Sequence, residues 1–166
     1  LELDFQNRES LSESLRGALP EGERWDYIIY NLGATKALDF ASFNRVNHDY
    51  LRDFTSALAD TGMTPGKILY MSSLSVMGAG DEKGYTPFTP RDIPQPNTRY
   101  GASKLKAEMC LASSGLPYVI FRCTGIYGPR ERDYYLMFKS ISRGFDFSVG
   151  FRRQMLTFIY VGDLAE

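Results

Sequence analysis

Three short apolar stretches recur along the chain: "DYIIYN" at 26–31, "KILYMSS" at 67–73 and "YVIFRC" at 118–123. Each is too short for a helix and nearly continuous in apolar residues, the pattern of a buried strand in a parallel sheet. Between them the period changes. From about Phe40 to Ala59, residues Phe43, Val46, Tyr50, Phe54 and Leu58 recur at three- and four-residue steps, and Gly62 supplies a stop. Ala102, Leu105, Met109 and Ala112 make a second stripe over about 99–114, closed by "SGLP". A third helix is expected over about 131–142, ahead of Gly144. "FDFSVG" and "QMLTFIY" read as strands of a less regular C-terminal part, and "FIYVGDLAE" as the opening of a further helix.

Strands alternating with helices of these lengths predict a βαβ series: an α/β fold with a parallel sheet and helices on both faces. Ligands of such sheets lie beyond the carboxyl ends of the strands. The longest connection, "GAGDEKGYTPFTPRDIPQPNT" at 78–98, carries three Gly and four Pro. A loop of that length in a compact domain reads as a binding loop.

Composition narrows the classes. At 166 residues the chain holds one domain with a real core, and 43% apolar with 23% charged residues is ordinary for a globular protein. Nineteen Lys and Arg nearly balance twenty Asp and Glu, so no nucleic-acid or anionic-membrane partner is expected. No apolar run is long enough to span a bilayer. Two cysteines, Cys110 and Cys123, lack metal-ligand spacing and suit a reducing cytoplasm. The one histidine, His48, argues against a His-based triad or a multi-histidine metal site and is expected at the surface. The chain opens on "LELDF" without methionine, as though entered midway through a strand, and reads as an excised piece of a larger protein.

Two tyrosine–lysine pairs share a four-residue spacing, Tyr100 with Lys104 and Tyr135 with Lys139. Spacing alone does not separate them. Tyr100 stands in the first turn of its helix, after the Pro-rich loop, with Lys104 one turn on along the same face. The expected strands deliver Ser72 and Ser73, and Asn31, Leu32 and Gly33, at their carboxyl ends. Tyr135 sits mid-helix in "YYLMF" and is expected in a core. A Ser, a Tyr and a Lys converging on one point form a proton-transfer device. A free phenol loses its proton only near pH 10, and an adjacent ammonium brings that down. A serine hydroxyl can hold a substrate oxygen against the tyrosine. The device suits reversible oxidation of a secondary alcohol, with a cofactor taking the hydride.

Together, "SSLSVMG", "RYGASK" and "VIFRCTGIYGPRE" resemble the extended short-chain dehydrogenase/reductase family, and within it the NAD-dependent epimerase/dehydratase group. The resemblance runs from about Leu3 to Glu166. It implies part of an NAD(P)-binding Rossmann fold, with the start of a substrate-binding part from about residue 145. It makes Ser73 the substrate-orienting hydroxyl, Tyr100 the general acid/base, and Lys104 the group that lowers the Tyr100 pKa and bonds the nicotinamide ribose. Asp4 and Phe5 match a strand end beside the adenine, and Leu32, Gly33 and Ala34 a turn passing near the cofactor. Asn47 matches a helix asparagine that supports the site. Arg122 to Gly125, Cys123 among them, match a strand end near nicotinamide and substrate.

The departures are informative. Leu74 and Ser75 stand where sugar dehydratases of the family carry an acidic pair, so a 4,6-dehydratase is not expected. Met77 replaces a common tyrosine, and Cys123, expected as a buried thiol, a common proline. No GxGxxG or GxxGxxG occurs in the 166 residues. The glycine-rich turn and the acidic residue that selects NAD or NADP are expected ahead of Leu1.

The function so implied is an NAD- or NADP-dependent epimerase or oxidoreductase acting on a sugar nucleotide or similar small molecule. The chain itself is expected to be inactive and self-associating. Two alternatives stand beside it: an NADPH-dependent carbonyl reductase of the dihydroflavonol-reductase or hydroxysteroid-dehydrogenase type, and a non-catalytic cofactor sensor.

Overall fold

The computed structural model describes residues 3–5, 7–81, 83–145 and 155–166. They form two compact units, one of residues up to Ala79 with Thr89–Arg122, the other of Gly80–Phe88 with Cys123–Glu166.

The first unit opens with α1 (Arg8–Arg16), which the periodicity left unread. The Asn7 side chain caps it by accepting from the Glu9 and Ser10 amides at 3.0 and 3.2 Å, and only Leu11 and Leu15 are buried. The "LELDF" strand is not seen: Leu3 to Phe5 lie outside any strand, and Leu1 and Glu2 lie outside the described residues. A strand needs a partner ladder. Phe5 instead packs its ring on Tyr30, Tyr50 and Phe54.

Next come β1 (Tyr27–Tyr30) and the long helical segment expected over 40–59. That segment is α2 (Phe40–Asn44), a π turn (Arg45–Asp49) and α3 (Tyr50–Thr61). Asp39 caps its start by accepting from the Ser42 amide at 2.7 Å, a bond that holds this carboxyl below the usual range. Gly62 ends it in the left-handed region, φ 69°. The π turn also corrects a surface expectation. Within it His48 is buried, 8% exposed, with Nδ1 2.7 Å from Asp49 Oδ1.

The unit continues with β2 (Lys67–Ser73), α4 (Arg99–Ser113) and β3 (Tyr118–Cys123), whose last residue belongs to the second unit. The strand order is β1-β2-β3, and β1 and β2 run parallel with Tyr27 opposite Lys67 and Tyr30 opposite Tyr70. Tyr30, Ile68 and Tyr70 point into a core completed by Leu11 and Leu15 of α1, Phe54 and Leu58 of α3, and Ala107 and Leu111 of α4. Each such Leu, Ile or Phe side chain contributes about 1.5–3 kcal/mol on burial. Full burial of the strands is not observed: on β1, Tyr27 and Ile29 are 64% and 67% exposed, because the core forms on the Ile28 and Tyr30 side. The α4 stripe needs correction too. Met109 is 65% exposed and Ala112 exposed, whereas Gly101, Ser103, Lys104, Ala107, Glu108 and Leu111 are buried. Polar bonds, not the apolar stripe, select the inward face of this helix.

The second unit pairs β4 (Gly125–Tyr127) in parallel with β5 (Phe158–Tyr160) and adds α5 (Asp133–Ser142) and α6 (Val161–Ala165). Rings of Tyr127, Tyr134, Phe138, Phe158 and Tyr160 pack together at centroid separations of 5.0–6.2 Å. Tyr135 does not join them and is 57% exposed, against the core position expected. Of the predicted "FDFSVG" strand, residues 146–150 lie outside the described residues. No helix of the described residues is long and apolar enough to cross a membrane.

Candidate functional site

The carboxyl ends of β1 and β2 and the first turns of α4 meet in the first unit. Beyond β1, Asn31, Leu32 and Gly33 form an exposed turn. Asn47, fully buried, holds it from behind. Its Oδ1 accepts from the Ala34 amide at 2.7 Å, while its Nδ2 donates to the Ala34 carbonyl at 3.1 Å and to Ser103 Oγ at 2.9 Å. The Ser103 hydroxyl in turn donates a hydrogen bond to the Tyr100 carbonyl at 2.7 Å. One amide therefore ties the β1 turn to the helix that carries Tyr100 and Lys104. The π turn makes this possible, since it aims Asn47 into the space between the two elements.

Lys104 is 3% exposed, and its ammonium donates to the Met71 carbonyl at 2.6 Å. It also lies 4.3 Å from the Tyr70 ring centre, a cation–π contact on the face of a buried aromatic. A Cβ built on Gly33 would stand 3.2 Å from Asn47 Oδ1 and 3.7 Å from Lys104 Nζ. Only glycine leaves this backbone open beside the ammonium.

Ser73 ends β2 and caps a 3₁₀ turn, Leu74–Met77. Its Oγ accepts from the Ser75 amide at 3.2 Å and from Ser75 Oγ at 2.9 Å. That leaves the Ser73 O–H proton to be donated. The first turn of α4 backs onto this corner: Gly101 abuts the Ser75 carbonyl so closely that any Cβ would collide with it. Thr98 caps α4 by accepting from the Gly101 amide at 3.0 Å. Tyr100 is half-buried, its ring 6.0 Å from that of Phe43.

Of the residues singled out from the sequence, Leu32, Gly33, Ala34, Asn47, Ser73, Tyr100 and Lys104 thus belong to one connected set. Asp4 is exposed, and Phe5 sits with the aromatic rings over β1. Cys123 belongs to the second unit and is half-buried, not the fully enclosed thiol expected. Sequence reasoning missed Tyr70, Ser103 and Glu108. Glu108 continues the Tyr100, Lys104 spacing by another four residues, and that repeat was the available signal. It is 3% exposed and pairs with Arg122, whose guanidinium is held protonated above its usual range by that bond. Burial pushes the Tyr30 and Tyr70 phenols well above the ordinary tyrosine range, so both stay neutral. Among the described residues no cluster of His, Cys, Asp and Glu could hold a metal ion.

A family model described as the NAD dependent epimerase/dehydratase family matches residues 3–166. No curated protein matches. Among solved structures, the Bordetella bronchiseptica enzyme WbmG in complex with NAD and UDP is 19% identical with a TM-score of 0.73, covering 99% of this chain and 50% of that one. UDP-N-acetylglucosamine 4-epimerase from Bacillus cereus is likewise 19% identical, TM-score 0.73, covering 99% and 57%. RMD from Pseudomonas aeruginosa complexed with NADPH is 24% identical, TM-score 0.68, covering 87% and 50%. At these identities the likeness is one of fold, and the chain spans about half the length of these proteins.

Proposed function

The chain belongs to the NAD-dependent epimerase/dehydratase family, and from that premise we propose that the complete protein is a cytoplasmic NAD- or NADP-dependent epimerase or oxidoreductase. Its substrate is a sugar nucleotide or a similar molecule with a secondary hydroxyl or carbonyl. The observation that carries this reading is the buried Lys104 ammonium, fixed to Met71 at the end of β2 and set between the Gly33 turn and the Tyr100 turn of α4. The residues fit a dinucleotide. The exposed turn at 32–34 is rigidly backed by Asn47, and at Gly33 there is no side chain to obstruct a flat group. Leu32, Gly33 and Ala34 would line the bound cofactor and Lys104 would reach its ribose. When bound, the cofactor supplies the hydride acceptor or donor.

The chain's own residues handle the proton. Tyr100 exchanges it with the substrate oxygen, as general base when an alcohol is oxidised and general acid when a carbonyl is reduced. Lys104 stabilises the phenolate during that exchange. Ser73, its lone pairs engaged by Ser75, donates to the same substrate oxygen and holds it against Tyr100. Leu74 and Ser75 offer no carboxylate for eliminating water, which favours epimerisation or oxidoreduction over dehydration.

In the complete protein Tyr100→Phe should lower turnover on the order of a hundredfold or more with the fold intact. Tyr135→Phe is the matched control and should change little. Near-normal turnover in Tyr100→Phe refutes the assignment.

The 166 residues by themselves contain no glycine-rich phosphate turn. Pyrophosphate is held mainly by such a turn at a helix N-terminus, so the isolated chain binds dinucleotide weakly and turns nothing over. Its exposed Tyr27 and Ile29, on a strand paired on one side only among the described residues, favour association with a second copy. Titration with NAD(H) and NADP(H) alongside light scattering tests both points. Micromolar binding by a monomer is the contrary result.

A further inference from the structure

Glu108 lies on α4 one turn beyond Lys104, as Lys104 lies one turn beyond Tyr100. Side chains four apart on a helix have Cβ atoms about 5–6 Å from one another. Lys104 and Glu108 are each 3% exposed, so a lysine and a glutamate share one buried face of the helix where solvent screens their charges little. A buried carboxylate with open lone pairs would draw that ammonium along the helix, away from Tyr100. The lone pairs of Glu108 are taken. Arg122, near the end of β3, donates from Nε to both Glu108 oxygens at 3.1 and 3.2 Å and from Nη2 to Oε2 at 2.7 Å. Ser72 donates its hydroxyl to Oε1. Met77 Sδ, 3.3 Å from Arg122 Nη1, steadies the guanidinium from a third side. The Lys104 ammonium, for its part, is bonded to the Met71 carbonyl.

We propose that Arg122 is a positioning residue acting through Glu108: by saturating that carboxylate it keeps the Lys104 charge on Met71 and directed at Tyr100. The end of β3 thereby governs the proton affinity of a tyrosine on another element. This inference rests on the roles proposed above for Tyr100 and Lys104. The other groups around the pair leave the argument intact. Tyr70 of β2 is a neutral phenol, and Phe43 of α2 and Asn47 of the π turn carry no charge. His48 and Asp49 of that turn pair with each other, and Arg99 of α4 acts on Asp39. Removing the Arg122 cation would add negative potential near Lys104 and create a competitor for its ammonium. Both effects raise the proton affinity of Tyr100.

The experiment titrates the Tyr100 phenol in the complete protein without cofactor, by NMR of isotope-labelled tyrosine, with the resonance identified by its loss in Tyr100→Phe. Arg122→Gln should raise the titration midpoint by about one pH unit or more. The double variant Arg122→Gln/Glu108→Gln, neutral again, should return it to the wild-type value, a rescue that loss of packing alone would not produce. An unchanged midpoint in folded Arg122→Gln, or a rise that the double variant does not reverse, overturns the proposal. Should Arg122→Gln fail to fold, Glu108→Gln decides: an unbalanced Arg122 cation must lower the midpoint, and any other outcome overturns it. Lys104→Met separates this inference from the reading beneath it. If that variant leaves the midpoint in place, the pairing of Tyr100 with Lys104 fails and the role of Arg122 with it. If it raises the midpoint while Arg122→Gln does not, only the role of Arg122 fails.

Discussion

Helices α4 and α5 each carry a tyrosine followed four residues later by a lysine, and the two pairs live in different physical worlds. On α5 the Lys139 ammonium lies 5.6 Å from the ring of its own helix neighbour Tyr135, which is 57% exposed, and no residue of that helix is buried. An exposed contact of that kind is worth about 0.5–1 kcal/mol. On α4 the Lys104 ammonium is 3% exposed and bonded to elements outside its helix, the Met71 carbonyl and the Tyr70 ring. There the same charge acts through a poorly screening medium. What distinguishes the two pairs is the packing supplied by residues distant in sequence.

The comparison sharpens most through the two cores. Leu111 of α4 is fully buried and Leu136 of α5 is 56% exposed. In urea unfolding of the 166-residue chain, Leu111→Ala should lose about 2–5 kcal/mol, and Leu136→Ala no more than about 0.5 kcal/mol. Equal losses would mean that α5 is as tightly packed as α4, and the two helices would not differ in this respect. A smaller effect comes from the ring beneath the lysine. The Tyr70 hydroxyl is buried with no hydrogen-bond partner among the described residues. Tyr70→Phe keeps the ring face for Lys104 and removes the unsatisfied group, so stability should hold or rise by up to about 1 kcal/mol. A clear loss would show that the hydroxyl is bonded after all.

Some of this was legible in the residues. "KILYMSS" and "YVIFRC" coincide with β2 and β3, because a short apolar run bounded by polar residues admits few other structures. The helix expected over about 99–114 likewise coincides with α4. Helix α1 was not legible: in "RESLSESLR" only Leu11 and Leu15 are apolar, and the Asn7 cap carries much of the signal. The inward face of α4 was misread because apolar spacing alone does not define it: Met109 is exposed, whereas Lys104 and Glu108 are inside. They are buried by bonds to Met71, Ser72 and Arg122, which no local window contains. His48 was misplaced for a related reason. Helical periodicity assumes uniform turns, and the turn at Arg45–Asp49 is wider than its neighbours.

That wide turn makes the segment keep count. A π turn is an α-helical stretch fitted with one residue too many, and its registry depends on the surplus. Deleting any one residue between 45 and 49 would let 40–61 run as uninterrupted α-helix, a gain in local regularity. It would also rotate the upstream portion by about 100° and shorten the run by about 1.5 Å against α3. Asn47 cannot then face both Ala34 and Ser103, so the β1 turn and α4 lose the amide that joins them. In this segment a single-residue deletion is a change of phase.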